Sequence, residues 1–201
     1  MSEHYYAKNP TVAHDEKEIT VDFHGNSLRF TTDAGVFSKG GLDDGSRLLI
    51  EDALEIDGRA LDLGCGWGAV GVCIASVNQD VKFVFTDVNE RAAALTEKNL
   101  RKNGVKGCSV VSGDGFSAVT GKFDHILLNP PIRAGKATIY RLFEEAREYL
   151  NPEGCLHIVM MTRQGADSAR KKLDELFGNC EITSRGSGYK VMVSRLTSEE
   201  V

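Results

Sequence analysis

From residue 60 onward, segments of strand length alternate with segments of helix length, and this alternation constrains the fold more than any other feature of the chain. The predicted strands are Ala60–Leu63, Val81–Thr86, Ser109–Val111, His125–Leu128 and Leu156–Met161. The predicted helices are about Ala69–Val77, Glu90–Asn103, Thr138–Leu150 and Ala166–Phe177. Because a helical crossover joins each strand to the next, the pattern predicts an α/β fold with a doubly wound, mostly parallel sheet.

Both ends of this pattern carry predicted hairpins. Cys180–Ser184 and Tyr189–Leu196 are separated by four residues, too few for a helical crossover, so they predict an antiparallel C-terminal strand at the edge of a seven-stranded sheet. Near the N-terminus, Ile19–His24 and Ser27–Thr31 predict a small β-hairpin that turns at Gly25-Asn26.

The length and composition suit one hydrophobic core. The chain has 201 residues, of which 41% are hydrophobic and 26% are charged. A helix is expected from about Ser46 to Glu55. We therefore expect a single domain over residues 1–201, with 1–45 as a hairpin and loop extension and 46–201 as the core.

Charge and cysteine content limit the partners. The net charge of −5 provides no overall basic field, so a polyanion would have to meet a local patch. We expect no membrane span and no signal peptide, and hence a cytoplasmic protein. The five cysteines form no C-x-x-C pair and the five histidines show no ligand spacing. We therefore expect reduced thiols and no metal.

A glycine-rich loop follows the first predicted strand of the core. Such a loop brings a ligand close to bare backbone at a helix N-terminus. Gly66 to Gly71 matches a dinucleotide fingerprint, with Asp87 lying 21 residues after Gly66. Two details disfavour a pyrophosphate ligand: Asp62 lies inside the strand, and Gly64 already ends it.

Three carboxylates follow or end neighbouring predicted strands. Because the carboxyl ends of parallel strands meet at one edge, Asp62, Asp87 and Asp114 are expected to converge on one crevice. Such a set favours a ligand with a ribose, amino groups and positive charge. The alternative for each residue is a helix N-cap.

The fourth core strand is followed by Asn129-Pro130-Pro131, where the prolines force the chain to turn. The Asn129 side-chain carbonyl and the Pro130 backbone carbonyl can both accept hydrogen bonds from one amino group. The pattern therefore predicts a site that orients a planar exocyclic amine. The alternative is a proline-rich strand exit in which Asn129 is a turn residue.

Together these motifs resemble a known family. Asp62–Gly68 followed by Asn129–Pro131 is similar to the class I S-adenosylmethionine-dependent methyltransferases, whose fold is Rossmann-like. The closest resemblance is to the methyltransferase small domain family, related to the bacterial small-subunit ribosomal RNA guanine-N2 methyltransferases. Gly35–Ser38 and Gln164–Ala166 also match, and the resemblance spans about residues 5 to 196.

The resemblance implies S-adenosyl-L-methionine as the cofactor and assigns a role to each motif. The implied cofactor-binding residues are Phe37, Asp62, Gly64, Cys65, Gly66, Asp87, Val88, Asp114, Gly115 and Asn129. Among them, Asp62 would lie near the amino group, Asp87 at the ribose and Asp114 at the adenine. The implied catalytic residues are Asn129, Pro130 and Pro131, and the implied substrate-binding residues are Ile132, Arg133 and Lys136.

Three functional hypotheses follow. The first is an N-methyltransferase acting on RNA, with guanine N2 of small-subunit ribosomal RNA as target and the small subunit or its RNA as partner. The second directs the same chemistry to a protein glutamine amide or another amine; Ile132, where many amino-methyltransferases carry an aromatic residue, counts against it. The third is an NAD-dependent oxidoreductase or a non-catalytic nucleotide-binding module.

Overall fold

The computed structural model describes residues 8–198, so the first seven residues, where no signal peptide is expected, and the last three lie outside it. The strands are β1 (Lys17–Phe23), β2 (Asn26–Thr32), β3 (Arg59–Leu63), β4 (Lys82–Asp87), β5 (Ser109–Ser112), β6 (Phe123–Leu128), β7 (Leu150–Met161), β8 (Glu181–Gly186) and β9 (Tyr189–Arg195). The α-helices are α1 (Asp44–Asp52), α2 (Ala69–Val77), α3 (Glu90–Lys102), α4 (Lys136–Tyr149) and α5 (Ala166–Phe177).

Seven strands form one sheet in the order β5-β4-β3-β6-β7-β9-β8, and β1 and β2 form a separate hairpin. The strands from β3 to β7 pair in parallel, whereas β9 runs antiparallel to β7 and to β8. The predicted fold class is confirmed. The last strand, β9, lies between β7 and β8, and β8 forms the edge of the sheet.

The register of the central strands sets the position of the motifs. Leu63 pairs with Thr86 on one side and with Leu128 on the other. The next residues along each strand, Gly64, Asp87 and Asn129, therefore leave the sheet side by side at its carboxyl edge.

Helices cover both faces of the sheet because the strand side chains alternate between two buried clusters. Leu127 belongs to the cluster that packs against α1, α2, α3 and the hairpin. Its neighbours Ile126 and Leu128 belong to the cluster beneath α4 and α5. Burying each such side chain contributes about 1.5–3 kcal/mol, so the two clusters hold the carboxyl edge in place.

The hairpin is fixed to the core through one buried amide. Asn99 of α3 accepts a hydrogen bond from the Thr31 backbone N–H at 2.7 Å and donates to the carbonyls of Thr31 and Trp67 at 2.9 and 2.8 Å. Phe30 also packs edge-on against Trp67, with ring centroids 4.9 Å apart. The hairpin therefore contacts the glycine-rich loop directly.

The hairpin turn lies one residue earlier than predicted. Phe23 pairs with Asn26, and the two residues between them, His24 and Gly25, have φ values of 44° and 79°. A two-residue turn of this kind needs positive φ at both central positions. Asn26 is the first residue of β2, so the predicted turn at Gly25-Asn26 is wrong.

Other element boundaries also differ from the prediction by a few residues, and two of them have a visible structural reason. The first helix begins at Asp44 rather than Ser46, because Asp43 is its N-cap and accepts a hydrogen bond from the Ser46 backbone N–H. The strand β7 begins at Leu150, which pairs with Phe123 before a register shift.

None of the helices within residues 8–198 has the length and apolar character that a membrane crossing requires. All five cysteines are free thiols.

Candidate active site

A cavity opens at the carboxyl edge of the sheet, where the chain leaves β3, β4 and β6. The sequence-predicted residues that line it are Phe37, Asp62, Gly64, Cys65, Gly66, Asp87, Val88, Gly115, Asn129, Pro130 and Pro131. The structure thus brings both motifs to one cavity.

The glycine-rich loop between β3 and α2 forms the floor of this cavity. Gly64 and Gly66 have φ values of 72° and 58°, which only glycine adopts without strain. The N–H groups of Gly64 and Cys65 donate to the Thr86 carbonyl at 2.8 and 3.0 Å, which ties the loop to β4. A Cβ added to Gly64 or Gly66 would meet no atom within 4 Å, so these glycines face open space beside the cavity.

Gly71 serves a different purpose. A Cβ at this position would lie 2.4 Å from the Phe85 ring, so only glycine lets α2 approach the sheet this closely. Its backbone N–H donates to Asp62 Oδ2 at 2.9 Å. The loop therefore separates two tasks: Gly64 and Gly66 face the cavity, whereas Gly71 packs helix against sheet.

Asp62 is a buried carboxyl group at the cavity wall, 4% exposed. Burial raises its pKa from 3.8 to about 7, and the charge of Asp87 adds to the increase, while the hydrogen bond from Gly71 opposes it. A cationic amino group placed beside Asp62 would stabilise its ionised form. The carboxyl group thus suits the amine end of an amino acid ligand.

Asp87 ends β4 with its carboxylate held by two backbone groups. The N–H of Gly66 donates to one oxygen and the N–H of Asn89 to the other, each at 2.8 Å. Burial raises the pKa of Asp87 to about 6, and both hydrogen bonds limit the increase. The carboxylate is therefore mostly ionised at neutral pH, and its remaining lone pairs can accept bonds from a ribose diol.

The cavity fits S-adenosyl-L-methionine on two observations. The space beside Gly64 and Gly66 accommodates a ligand against bare backbone. The carboxyl groups of Asp62 and Asp87 line the same cavity and can accept hydrogen bonds from an amino group and from a ribose diol.

The loop that carries Phe37 is held over the cavity by α3. Asn89 donates its side-chain N–H to the Gly35 carbonyl at 2.8 Å, and Arg91 donates to the Ala34 carbonyl at 2.6 Å. Phe37 lines the cavity and remains 40% exposed. An aromatic ring in this position can cover an apolar part of a ligand.

Asn129 is oriented by a helix far away in the sequence. Its side-chain N–H donates to the Ser46 hydroxyl of α1 at 3.1 Å, which turns the amide oxygen away from that contact. The Pro131 carbonyl accepts the Ala134 N–H at 2.9 Å in a short 3-10 turn over Ile132–Ala134. No described residue donates to the Pro130 carbonyl, so both proposed acceptors remain available beside the cavity.

The structure does not bring Asp114 into the cavity. Its carboxylate is half exposed and forms an ion pair with Arg141 of α4 at 2.8 Å. The neighbouring Gly113 and Gly115 line the cavity instead. Of the three acids expected to converge on one crevice, only Asp62 and Asp87 line the cavity. The third, Asp114, is paired with Arg141 of α4 at the surface.

The three predicted substrate residues lie beyond the cavity lining. Ile132 is half-buried and packs against the cluster beneath α4 and α5. Arg133 and Lys136 are exposed, and the Lys136 amine lies 5.0 Å from the centre of the Tyr140 ring. These side chains can meet a large substrate at the surface but do not contact the space beside Asn129.

Sequence reasoning missed Ser46 and Asp43. Both line the cavity, and Asp43 accepts the Ser46 backbone N–H at 3.0 Å. Asp43 could have been identified from the sequence, because an acidic residue three positions before Ser46 is typical of a helix N-cap. The contact of Ser46 with Asn129 spans 83 positions and has no local signature.

A doubly wound sheet of this order, with a glycine loop after β3 and an acid at the end of β4, is the architecture of class I S-adenosylmethionine-dependent methyltransferases. The family model described as "Methyltransferase small domain" matches residues 27–193. The chain belongs to this family and is an S-adenosylmethionine-dependent methyltransferase.

Three proteins are similar to this chain, and the alignment covers a different share of each of them. An uncharacterized Bacillus subtilis protein, YbxB, is 40% identical over 97% of this chain and 99% of its own. Ribosomal RNA small subunit methyltransferase C of Vibrio vulnificus is 32% identical over 87% of this chain and 52% of its own. The solved 16S rRNA N2 methyltransferase of T. thermophilus, in complex with AdoMet and guanosine, is 26% identical with a TM-score of 0.81, over 92% of this chain and 52% of that one. The chain thus spans about half the length of these ribosomal RNA methyltransferases.

Proposed function

We propose that this methyltransferase transfers a methyl group to an exocyclic amine of RNA, with guanine N2 in small-subunit ribosomal RNA as the target. The observation that carries the proposal is the pair of free acceptors at Asn129 and Pro130, beside the cavity that fits the cofactor. The hydrogen bond from the Asn129 side-chain N–H to Ser46 sets the orientation of the amide and leaves its oxygen free to accept from an amine.

The chemistry needs positioning more than acid–base assistance. S-adenosyl-L-methionine supplies a methyl carbon made electrophilic by its sulfonium. An aromatic amine is a weak nucleophile because its lone pair is delocalised into the ring. Carbonyls at Asn129 and Pro130 would hold the two amine hydrogens, favour the pyramidal nitrogen and stabilise its positive charge as the bond forms.

The similar proteins support an RNA target. The T. thermophilus protein is a 16S rRNA N2 methyltransferase solved with guanosine, and the Vibrio vulnificus protein is a ribosomal RNA small subunit methyltransferase. Guanine presents its exocyclic amine only when it is unpaired or flipped out of a helix. An assembled small subunit or its RNA is therefore the proposed partner, and such a substrate would place the reaction in the cytoplasm.

The test is transfer of tritiated methyl groups to three substrates: purified small subunits, naked ribosomal RNA and total protein. We expect label in the RNA fraction of subunits or in naked RNA, and loss of that label with Asn129→Ala. Label in protein alone would contradict the RNA proposal and would favour the glutamine-amide hypothesis, since the same acceptors can hold an amide.

A further inference from the structure

A second cluster of chemically capable side chains lies toward the opposite edge of the sheet from the cofactor cavity. His125 is near the start of β6 and pairs in register with Cys155 of β7; His157 follows two residues later on the same face of β7. One ligand atom from each of these three residues lies within 4.8 Å of the others. We propose that this cluster is a zinc site.

The donor set suits zinc. Two imidazole nitrogens and one thiol are the ligands of a borderline-soft ion, and a site with three protein ligands accepts water as its fourth. Tetrahedral zinc holds its ligand atoms about 3.3–3.8 Å apart, so a shift of about 1 Å by the Cys155 side chain closes the site.

The two histidines already face each other. His125 Nδ1 and His157 Nε2 are 3.0 Å apart. The other ring nitrogen of His157, Nδ1, is buried and has no partner among residues 8–198, so the contact between the two rings leaves it without a hydrogen bond in either tautomer.

The surroundings provide access and charge. A solvent-filled depression beside His125 is lined by Asp52, Glu55, Asp57, Asp124 and Glu153, with Arg195 as its cation. The excess of carboxylates favours entry of a divalent cation. An Asp57 oxygen lies 3.9 Å from His125 Nε2, beyond hydrogen-bond distance, and places a negative charge beside the cluster.

Zinc here would join β6 to β7 away from the cofactor. The ligands come from two strands and none lies in a close pair typical of zinc motifs, which explains why the sequence pattern predicts no metal. The site is independent of methyl transfer, so its test needs neither cofactor nor RNA.

The experiment uses chelator-treated full-length protein and Co²⁺ as an optical probe for the zinc site. We expect a sulfur-to-cobalt charge-transfer band that Zn²⁺ abolishes at one equivalent per chain. Cys155→Ser should lose the band, whereas Cys108→Ser, which removes the least buried of the five thiols, should retain it. Circular dichroism checks that both variants are folded.

A second variant avoids the buried core. Asp57 is 89% exposed, so Asp57→Asn should fold normally and weaken Zn²⁺ binding by about 10-fold. Absence of a cobalt band in the wild type, a band that persists in Cys155→Ser, or unchanged affinity in Asp57→Asn would each overturn the proposal and leave the histidines as a buried hydrogen-bonded pair.

Discussion

The two halves of the cavity are built in different ways. On the cofactor side, Asp87 is held by the backbone N–H groups of Gly66 and Asn89, and Asp62 by that of Gly71. On the amine side, Asn129 depends on one side-chain contact with Ser46 of a distant helix. The cofactor half is therefore fixed by backbone groups and the amine half by a single side-chain contact, so substitutions in the two halves should separate cofactor binding from turnover.

The largest effect is expected from Asp87→Ala. The substitution removes the proposed ribose acceptor and frees the Gly66 N–H, so cofactor affinity should fall by about 100-fold or more. Isothermal titration with S-adenosyl-L-methionine measures this loss. Asp114→Ala is the matched control, because that carboxylate pairs with Arg141 outside the cavity lining and should leave the affinity nearly unchanged. Equal losses in both variants would remove the distinction between the two acids.

Asn129→Ala should affect the other half alone. It removes one of the two amine acceptors, so turnover should fall by roughly 100-fold while cofactor affinity stays nearly constant. Single-turnover methyl transfer and cofactor titration on the same preparation measure both quantities. Turnover close to that of the wild type would mean that Asn129 is only a turn residue.

Ser46→Ala tests the tertiary contact behind Asn129. Without the hydroxyl acceptor, the amide is no longer held in one orientation, and turnover should fall by about 10-fold, the equivalent of one hydrogen bond. Cofactor affinity should not change. A double variant with Asn129→Ala should be no slower than Asn129→Ala alone; additive losses would show that Ser46 acts by another route.

The pKa of Asp62 gives a pH signature of folding. In the unfolded chain this carboxyl ionises near 3.8, but in the folded protein its pKa is about 7. The unfolded state therefore loses its proton first, and the contribution of Asp62 to stability falls as pH rises from about 4 to about 7. Asp62→Asn lacks this titration and should gain stability relative to the wild type over that range. Urea unfolding of both proteins across this pH range measures the difference in their free energies of unfolding. A difference that does not change with pH would contradict the raised pKa of Asp62.

The smallest effect concerns the surface beside the amine half. If Arg133 and Lys136 meet phosphates, Arg133→Glu with Lys136→Glu should weaken RNA binding and reduce its log–log salt slope by about one unit per lost contact. Binding measured at several salt concentrations checks this. Exchanging Arg170 and Lys171, exposed on α5, for Glu is the control. An unchanged slope in the first variant would remove RNA from this surface.

The sequence predicts most of the fold because its signals are local. Strand and helix alternation, glycines at turns and an acid ending β4 all act within a few residues, and the alternation predicts the mostly parallel sheet. The hairpin turn was misplaced for a physical reason. The prediction gave the positive φ values to Gly25 and Asn26, which adopt them readily, whereas the structure has them at His24 and Gly25.

The site is less predictable where a side chain has a choice of partners. Asp87 ends β4 and binds backbone N–H groups of its own turn and of the loop after the adjacent strand β3, so its place follows from the pairing of two neighbouring strands. Asp114 sits on a loop and reaches Arg141, which lies 27 positions away. Ser46 and Asn129 meet only after α1 packs on the sheet. Such contacts depend on tertiary packing, which no local pattern records.

The most direct test of the account is the position of the transferred methyl group. Small subunits methylated by the wild-type protein can be digested to nucleosides and analysed by mass spectrometry against synthetic standards. If Asn129 and Pro130 hold an exocyclic amine, the methyl group will be on an exocyclic nitrogen, and the proposed target places it on guanine N2. A methyl group on a ring nitrogen, a carbon or a ribose oxygen would contradict the role assigned to the two carbonyls.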